Sequence, residues 1–239
     1  MSLTIHNHKI NSKVFSAFQN DATPSVSKKE VYTSLKYKRN HRVENAETKT
    51  KIITATASAI STLLPMVYFA KKQNGLKKLT DLFKIDYGIK EVIALSSTSI
   101  ISGVTAGILT DKKTDKKRKL KEGVFQFMNA TIPTLFVGGV MKLLEDNVKY
   151  NHSRPVKTAA ILTSMFAGMP FAAFLSNIIN DPKDKEPDRK LTLKDSIANM
   201  DDALGALVVA KFPLIKQLHL DKVMPVIFAW CGYRAGQSN

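Results

Sequence analysis

The residues of this sequence best suited to chemistry are polar groups set inside apolar runs. Gln126 and Asn129 stand three apart in the run Gly123–Met141, and Asn177 and Asn180 repeat that spacing at the end of the run Thr158–Asn180. Residues three apart share a helix face, so each pair points two amides in one direction. Amides on a buried face either bond to a neighbouring helix or line a path for a polar solute, and bonding between helices is the commoner use. Asp201, Asp202 and Lys211 flank a further apolar piece. Ionisable groups at membrane depth are functional candidates by default, whereas at a surface they are only solvated helix ends. Asp202 and Lys211 are nine apart, too far to pair along one helix.

No enzyme is expected. The sequence has no phosphate-binding Gly-x-x-x-x-Gly-Lys loop, no Gly-x-Ser-x-Gly elbow and no His-Glu-x-x-His pair, so none of the common constellations of nucleophile, base or metal is present. His6 and His8 make a poor two-ligand metal site, and neither a metal nor another cofactor is expected. Cys231, the single cysteine, lies among apolar neighbours in Ala229-Trp230-Cys231-Gly232-Tyr233 and reads as a buried, inert thiol. Asn151-His152-Ser153 matches the glycosylation acceptor pattern.

The strongest charge cluster is Asp111–Glu122, with Lys112, Lys113, Lys116, Lys117, Arg118, Lys119 and Lys121. Over the whole chain 36 Lys+Arg face 20 Asp+Glu, a net charge of +16. Such an excess calls for a polyanion, either nucleic acid or an acidic membrane face. The cluster has no interleaved aromatics for stacking on bases, which disfavours nucleic acid, and apolar runs flank it. Contact with anionic lipid headgroups explains it better.

The elements that must position these groups follow from the same runs. Ile52–Ala70, Val92–Thr110, Gly123–Met141 and Thr158–Asn180 contain no Asp, Glu, Lys or Arg. About 20 helical residues cross a hydrocarbon core about 30 Å thick, and all four runs reach about that length. A soluble amphipathic helix would carry charge on its wet face at every turn or two; here the charge is confined to the connections. Each run also carries two small residues at four-residue spacing: Ala55 and Ala59, Gly103 and Gly107, Thr134 and Gly138, Gly168 and Ala172. In a bilayer helices associate by close backbone approach, so these pairs are the expected packing faces. Pro65, Pro133 and Pro170 lie inside the runs, where kinks are tolerated.

The reading is therefore an all-α polytopic membrane bundle of about four spanning helices. Residues 1–50 form a polar, basic, flexible arm, residues 51–180 the bundle, and residues 181–239 a charged loop followed by a C-terminal helical pair that is broken or re-entrant, or lies at the surface. Asp221 and the glycines Gly232 and Gly236 mark the start and stop of the last helix. Leu76, Leu79, Leu82 and Phe83 suggest a short amphipathic helix lying on the membrane. The first twenty residues hold no apolar core of a secretory signal. The N-terminal arm has ten Lys/Arg up to Lys51 and the second connection seven, against six and four in the first and third, which places both termini in the cytoplasm without distinguishing a bacterial plasma membrane from an organelle membrane. The expected partners are the bilayer, anionic lipid headgroups, and other membrane proteins or a second copy. The expected role is structural or in assembly. A solute or ion pathway, and a soluble basic helical protein binding acidic partners, are the alternatives.

Overall fold

The computed structural model describes residues 31–33, 46–112, 115–147, 153–183, 185–190, 200–212, 215 and 218–238, with the backbone alone at 31–33 and 200–203. Among them are six α-helices: α1 (Thr48–Asn74), α2 (Ile89–Thr110), α3 (Lys116–Glu145), α4 (Arg154–Asn180), α5 (Met200–Val209) and α6 (Met224–Gly236). Two three-residue strands, β1 (Val31–Thr33) and β2 (Asp188–Lys190), pair in parallel with Val31 opposite Asp188. The fold is all-α, and α1 to α4 are each long and apolar enough to cross a membrane. The shortest, α2, has 22 residues, about 33 Å at the helical rise.

Local signals set the helix ends. Gly75 adopts φ 75° and its N–H reaches back to the Lys71 carbonyl, closing α1. The Gly88 N–H donates to the Glu91 carboxylate at 3.0 Å at the start of α2, and the Asp115 carboxylate accepts from the Arg118 N–H at 3.0 Å at the start of α3. Pro65, Pro133 and Pro170 lie within continuous helices.

The four long helices alternate in direction, and hydrogen bonds tie the bundle at both ends. At the proximal end, where α1 starts, the Thr50 hydroxyl donates to the Thr110 carbonyl at 3.2 Å and the Asn180 amide to the Lys121 carbonyl at 3.0 Å. At the distal end the Gln73 amide bridges the Asp86 carbonyl and the Glu91 carboxylate. The first connection departs from the expected amphipathic helix. It forms only a five-residue 3-10 turn, Leu79–Phe83, with Leu82 and Ile85 buried in the core beside Met66 and Phe69. Asp81 organises it: its carboxylate accepts from the Lys84 ammonium and the Lys78 and Lys77 amides, which hold its pKa down to about 2.

The C-terminal helices add to the bundle rather than follow it. α5 packs against α3 and α6 packs against α1, α2 and α3. Gly205 faces Thr134, and Val209 faces Gly138, so α5 runs parallel to α3. The α6 contacts are closer still. A Cβ built on Gly103 would lie 2.1 Å from the Gly232 carbonyl oxygen, one on Gly107 2.0 Å from that of Gly236, and one on Gly236 2.1 Å from that of Gly103. The Ser99 hydroxyl donates to the Phe228 carbonyl at 2.6 Å. Gly103 and Gly107 thus interlock with a second small-residue pair, Gly232 and Gly236, whose role is close packing. The α6 helix runs through both glycines, and its start is preceded by a 3-10 turn, Leu220–Val223, that contains Asp221.

The other predicted packing faces divide. Gly168 and Ala172 are buried, and a Cβ on Gly168 would come within 2.7 Å of the Pro133 Cα, so α3 and α4 touch there. Thr134 is buried and Gly138 abuts Ile89. Ala55 and Ala59 correct the expectation: both are exposed, and α1 instead buries Thr54 and Ser58, one position earlier, against α2 and α6.

Candidate functional site

The first turns of α3, the last turns of α4 and α6, and the segment around β2 meet at the proximal end. A cleft of about 350 Å³ opens between them, with Arg118, Lys121, Asn177, Asn180, Trp230 and Arg234 among its walls. Arg118, Lys121, Asn177 and Asn180, all picked out from the sequence, therefore come together from the two consecutive helices α3 and α4.

Each is committed to a fastening. The Asn177 side chain makes a two-way bond with the Arg189 backbone: its amide donates to the carbonyl at 3.0 Å and its oxygen accepts from the N–H at 3.1 Å. Asn177 thereby pins β2 to α4. Asn180 donates to the Lys121 carbonyl and to the Ser176 hydroxyl, pinning α3 to α4. Gln126 is buried, and its amide donates to the Glu122 carboxylate at 2.6 Å. Asn129 is buried deeper along α3. Asn177 and Asn180 thus hold helices and strand together at one end, while the Gln126 bond stays within α3.

The centre of the cleft wall is an ion pair that sequence reasoning missed. Arg189 donates to Glu122 at 2.7 Å, with side-chain exposures of 7% and 15%, and its guanidinium carbon sits 3.4 Å from the Phe125 ring centroid. A planar cation on an aromatic face keeps much of its electrostatic stabilisation after leaving water. Arg234 of α6 adds a further positive charge acting on Glu122. Lys121 pairs with Glu186 across the cleft mouth. No signal in the sequence links Glu122 to Arg189, because the pair spans 67 positions and each lies in a segment crowded with other charges.

No known family, curated protein or solved structure matches the chain. Its chemistry therefore rests on the geometry of its own residues.

The basic connection does not act as one surface. Lys112, Lys116 and Lys117 are exposed, Arg118 is half-buried, and Lys113 lies outside the described residues. Lys119 corrects the expectation of lipid contact. Its side chain has 0% exposure, and its ammonium donates to Asp111 at 3.2 Å, to the Gly236 carbonyl at 2.9 Å and to the Ser238 carbonyl at 3.1 Å. It satisfies the free carbonyls at the end of α6, where the helix dipole also favours a cation.

The remaining candidates lie elsewhere. Lys211 is exposed at the distal end, paired with Asp86 at 2.9 Å. Asp201 and Asp202 fall in the first turn of α5, and their side chains lie outside the described residues. Lys211 is thus separated from the proximal amides by the length of the bundle. Cys231 is fully buried in α6. Among the described residues no group of His, Cys, Asp and Glu could hold a metal. His6, His8 and the Asn151-His152 dipeptide lie outside them.

Proposed function

We propose that this is a multi-pass membrane protein with a structural or assembly role, which holds a partner through its proximal cleft and its exposed basic residues. Four helices of spanning length fit a membrane protein. The reading is supported further by the outer surface, where Ile60, Leu64, Ile101, Leu109, Phe166, Phe174 and Ile178 are exposed. In water such a surface would drive aggregation; in a bilayer it is the expected lipid-facing surface.

The observation that carries the structural role is the fate of the amides. Asn177 and Asn180 are spent on fastening β2, α3 and α4, which suits a fixed body better than a solute path. In this reading α5 and α6 form an inserted pair, neither long enough to span alone, that fills the bundle from within. The termini lie in the cytoplasm. Exposed lysines at the distal end (Lys71, Lys72, Lys77 and Lys78) soften the charge contrast between the ends, so the orientation leans on the arm before residue 46. The exposed Lys112, Lys116 and Lys117 then meet anionic headgroups on the cytoplasmic face.

An alkaline carbonate wash of membranes from cells expressing the full chain tests insertion. Retention in the pellet is expected. Release into the supernatant would sink the bilayer reading and leave a soluble basic bundle binding acidic surfaces.

One feature favours a solute pathway as the second reading: the Gln126 carbonyl oxygen is buried without a hydrogen-bond partner, an unmet need that a passing solute or water could fill. Gln126→Leu separates the two. A scaffold would tolerate it, whereas a pathway would lose liposome flux while the protein still accumulates.

A further inference from the structure

A shallower concavity lies on the outer wall between α1 and α6. It measures about 400 Å³ and is lined by Lys51, Ile52, Ala55, Val226, Ala229, Trp230 and Tyr233. Ile52, Val226 and Trp230 are all more than half exposed, so the groove faces outward, where acyl chains would lie on the membrane reading above. Its volume falls within the range of small-molecule sites.

The two ends of the groove differ chemically. Along Val226 and Ala229 of α6, and Ile52 and Ala55 of α1, the walls are apolar for about 5 Å at the helical rise. At the proximal end the walls become Lys51 and the Trp230–Tyr233 pair, whose rings lie 5.2 Å apart. Trp and Tyr settle at the level of lipid headgroups because their rings are apolar and their polar edges need water. The lining contains no acid, and Glu47, one turn beyond Lys51, is exposed at the start of α1. An apolar slot ending in a lysine and two interfacial aromatics matches one object: a phospholipid with an anionic headgroup.

We propose that the α1–α6 groove binds one anionic phospholipid of the surrounding bilayer, with its headgroup at Lys51 and its acyl chain along Ile52, Ala55, Val226 and Ala229. The proposal explains why Ala55 faces outward: a larger side chain there would fill the slot. It rests on the membrane reading of the preceding subsection and adds a partner of defined chemistry to it.

Trp230 is the only tryptophan of the chain; it stands between this groove and the proximal cleft, so the Lys51 variant decides which of the two its quenching reports. The full chain is reconstituted in phosphatidylcholine vesicles doped either with brominated phosphatidylglycerol or with the same amount of brominated phosphatidylcholine. The anionic lipid is expected to quench Trp230 preferentially, with an apparent preference of about fivefold, the factor expected for one lysine at the membrane surface. Lys51→Gln should reduce the preference to that of bulk lipid, with the helical circular dichroism unchanged. Lys72→Gln, exposed at the opposite end of α1, should leave it intact. Equal quenching by both lipids, unaltered by Lys51→Gln, would overturn the proposal and leave only bulk lipid contact, with the membrane reading intact. Quenching by neither lipid in a carbonate-resistant protein would also overturn it, because another chain would then cover the groove. Release of the protein by the carbonate wash would instead remove the reading beneath it.

Discussion

At the scale of single residues, the contrast between Lys119 and its neighbours shows how far position within a fold outweighs residue type. Lys116 and Lys117 are exposed on the first turn of α3, while Lys119 is enclosed by Asp111 and the last carbonyls of α6. A buried ion pair adds little stability relative to an apolar substitute, but removal of one partner leaves the other charge stranded. Lys119→Met is therefore expected to destabilise the protein by about 1–3 kcal/mol, because the Asp111 carboxylate and two carbonyls each lose a donor. Lys116→Met should change the melting temperature little. Thermal unfolding of detergent-solubilised protein, followed by circular dichroism, compares the two; equal effects would contradict the enclosure of Lys119. Sequence could not separate these lysines, since all belong to one run and the selecting partner lies 117 positions away. The amides were more legible. Their placement inside uncharged runs marked them as inward-facing, but the partners they hold, the backbones of Arg189 and Lys121, are set only by the tertiary fold.

At the scale of elements, the four long helices were legible because the lengths of apolar runs and the exclusion of charge from them are local properties of the chain. Helix faces were less so. A small residue every fourth position identifies a possible contact but not which neighbour takes it, so α1 turns Thr54 and Ser58 inward and leaves Ala55 and Ala59 outside. The glycines of α6 carried a signal of their own, Gly232-x-x-x-Gly236, that also resembles a helix stop. What decides is the reciprocal pair on α2. Because Cβ atoms on Gly232 and Gly236 would meet carbonyl oxygens at 2.3 and 2.1 Å, Gly236→Val must push α6 away from α2. Overpacking of a tight contact costs typically about 1–3 kcal/mol, and here the obstructing atom is backbone. The expected outcome is loss of α6 docking, seen as faster proteolysis of the last thirty or so residues. Ala59→Leu on the outer face of α1 should leave the proteolysis rate unchanged. If both variants behave alike, α6 is not seated on the Gly103–Gly107 face.

At the scale of the whole molecule, the bundle makes a statement about sides that its charge pattern alone leaves weak. Hydrogen bonds and ion pairs group Thr50, Thr110, Lys119, Asn180 and Gly236 at one end, and Gln73, Asp86, Glu91 and Lys211 at the other. If the helices span a bilayer, Lys112 must therefore share a side with the C-terminus, and Lys72 and Lys211 must share the opposite one, however the protein is oriented. Cys231 can be changed to Ser to give a background free of thiols, since it is the only cysteine. Single cysteines at Lys72, Lys112 and Lys211 then report the side through a membrane-impermeant thiol reagent. With the termini in the cytoplasm, Lys72→Cys and Lys211→Cys should label in intact cells, or in sealed vesicles of the same orientation, and Lys112→Cys only after permeabilisation. The reverse pattern would invert the protein but keep the bundle. Labelling of Lys72→Cys and Lys211→Cys from opposite sides would break the bundle itself, because α5 would then not descend beside α3 to reach Asp86. The position of Lys211 thus tests the proposed insertion of the C-terminal pair, a feature that its short apolar pieces leave undecided and that the packing of α5 on α3 and of α6 on α1, α2 and α3 supports.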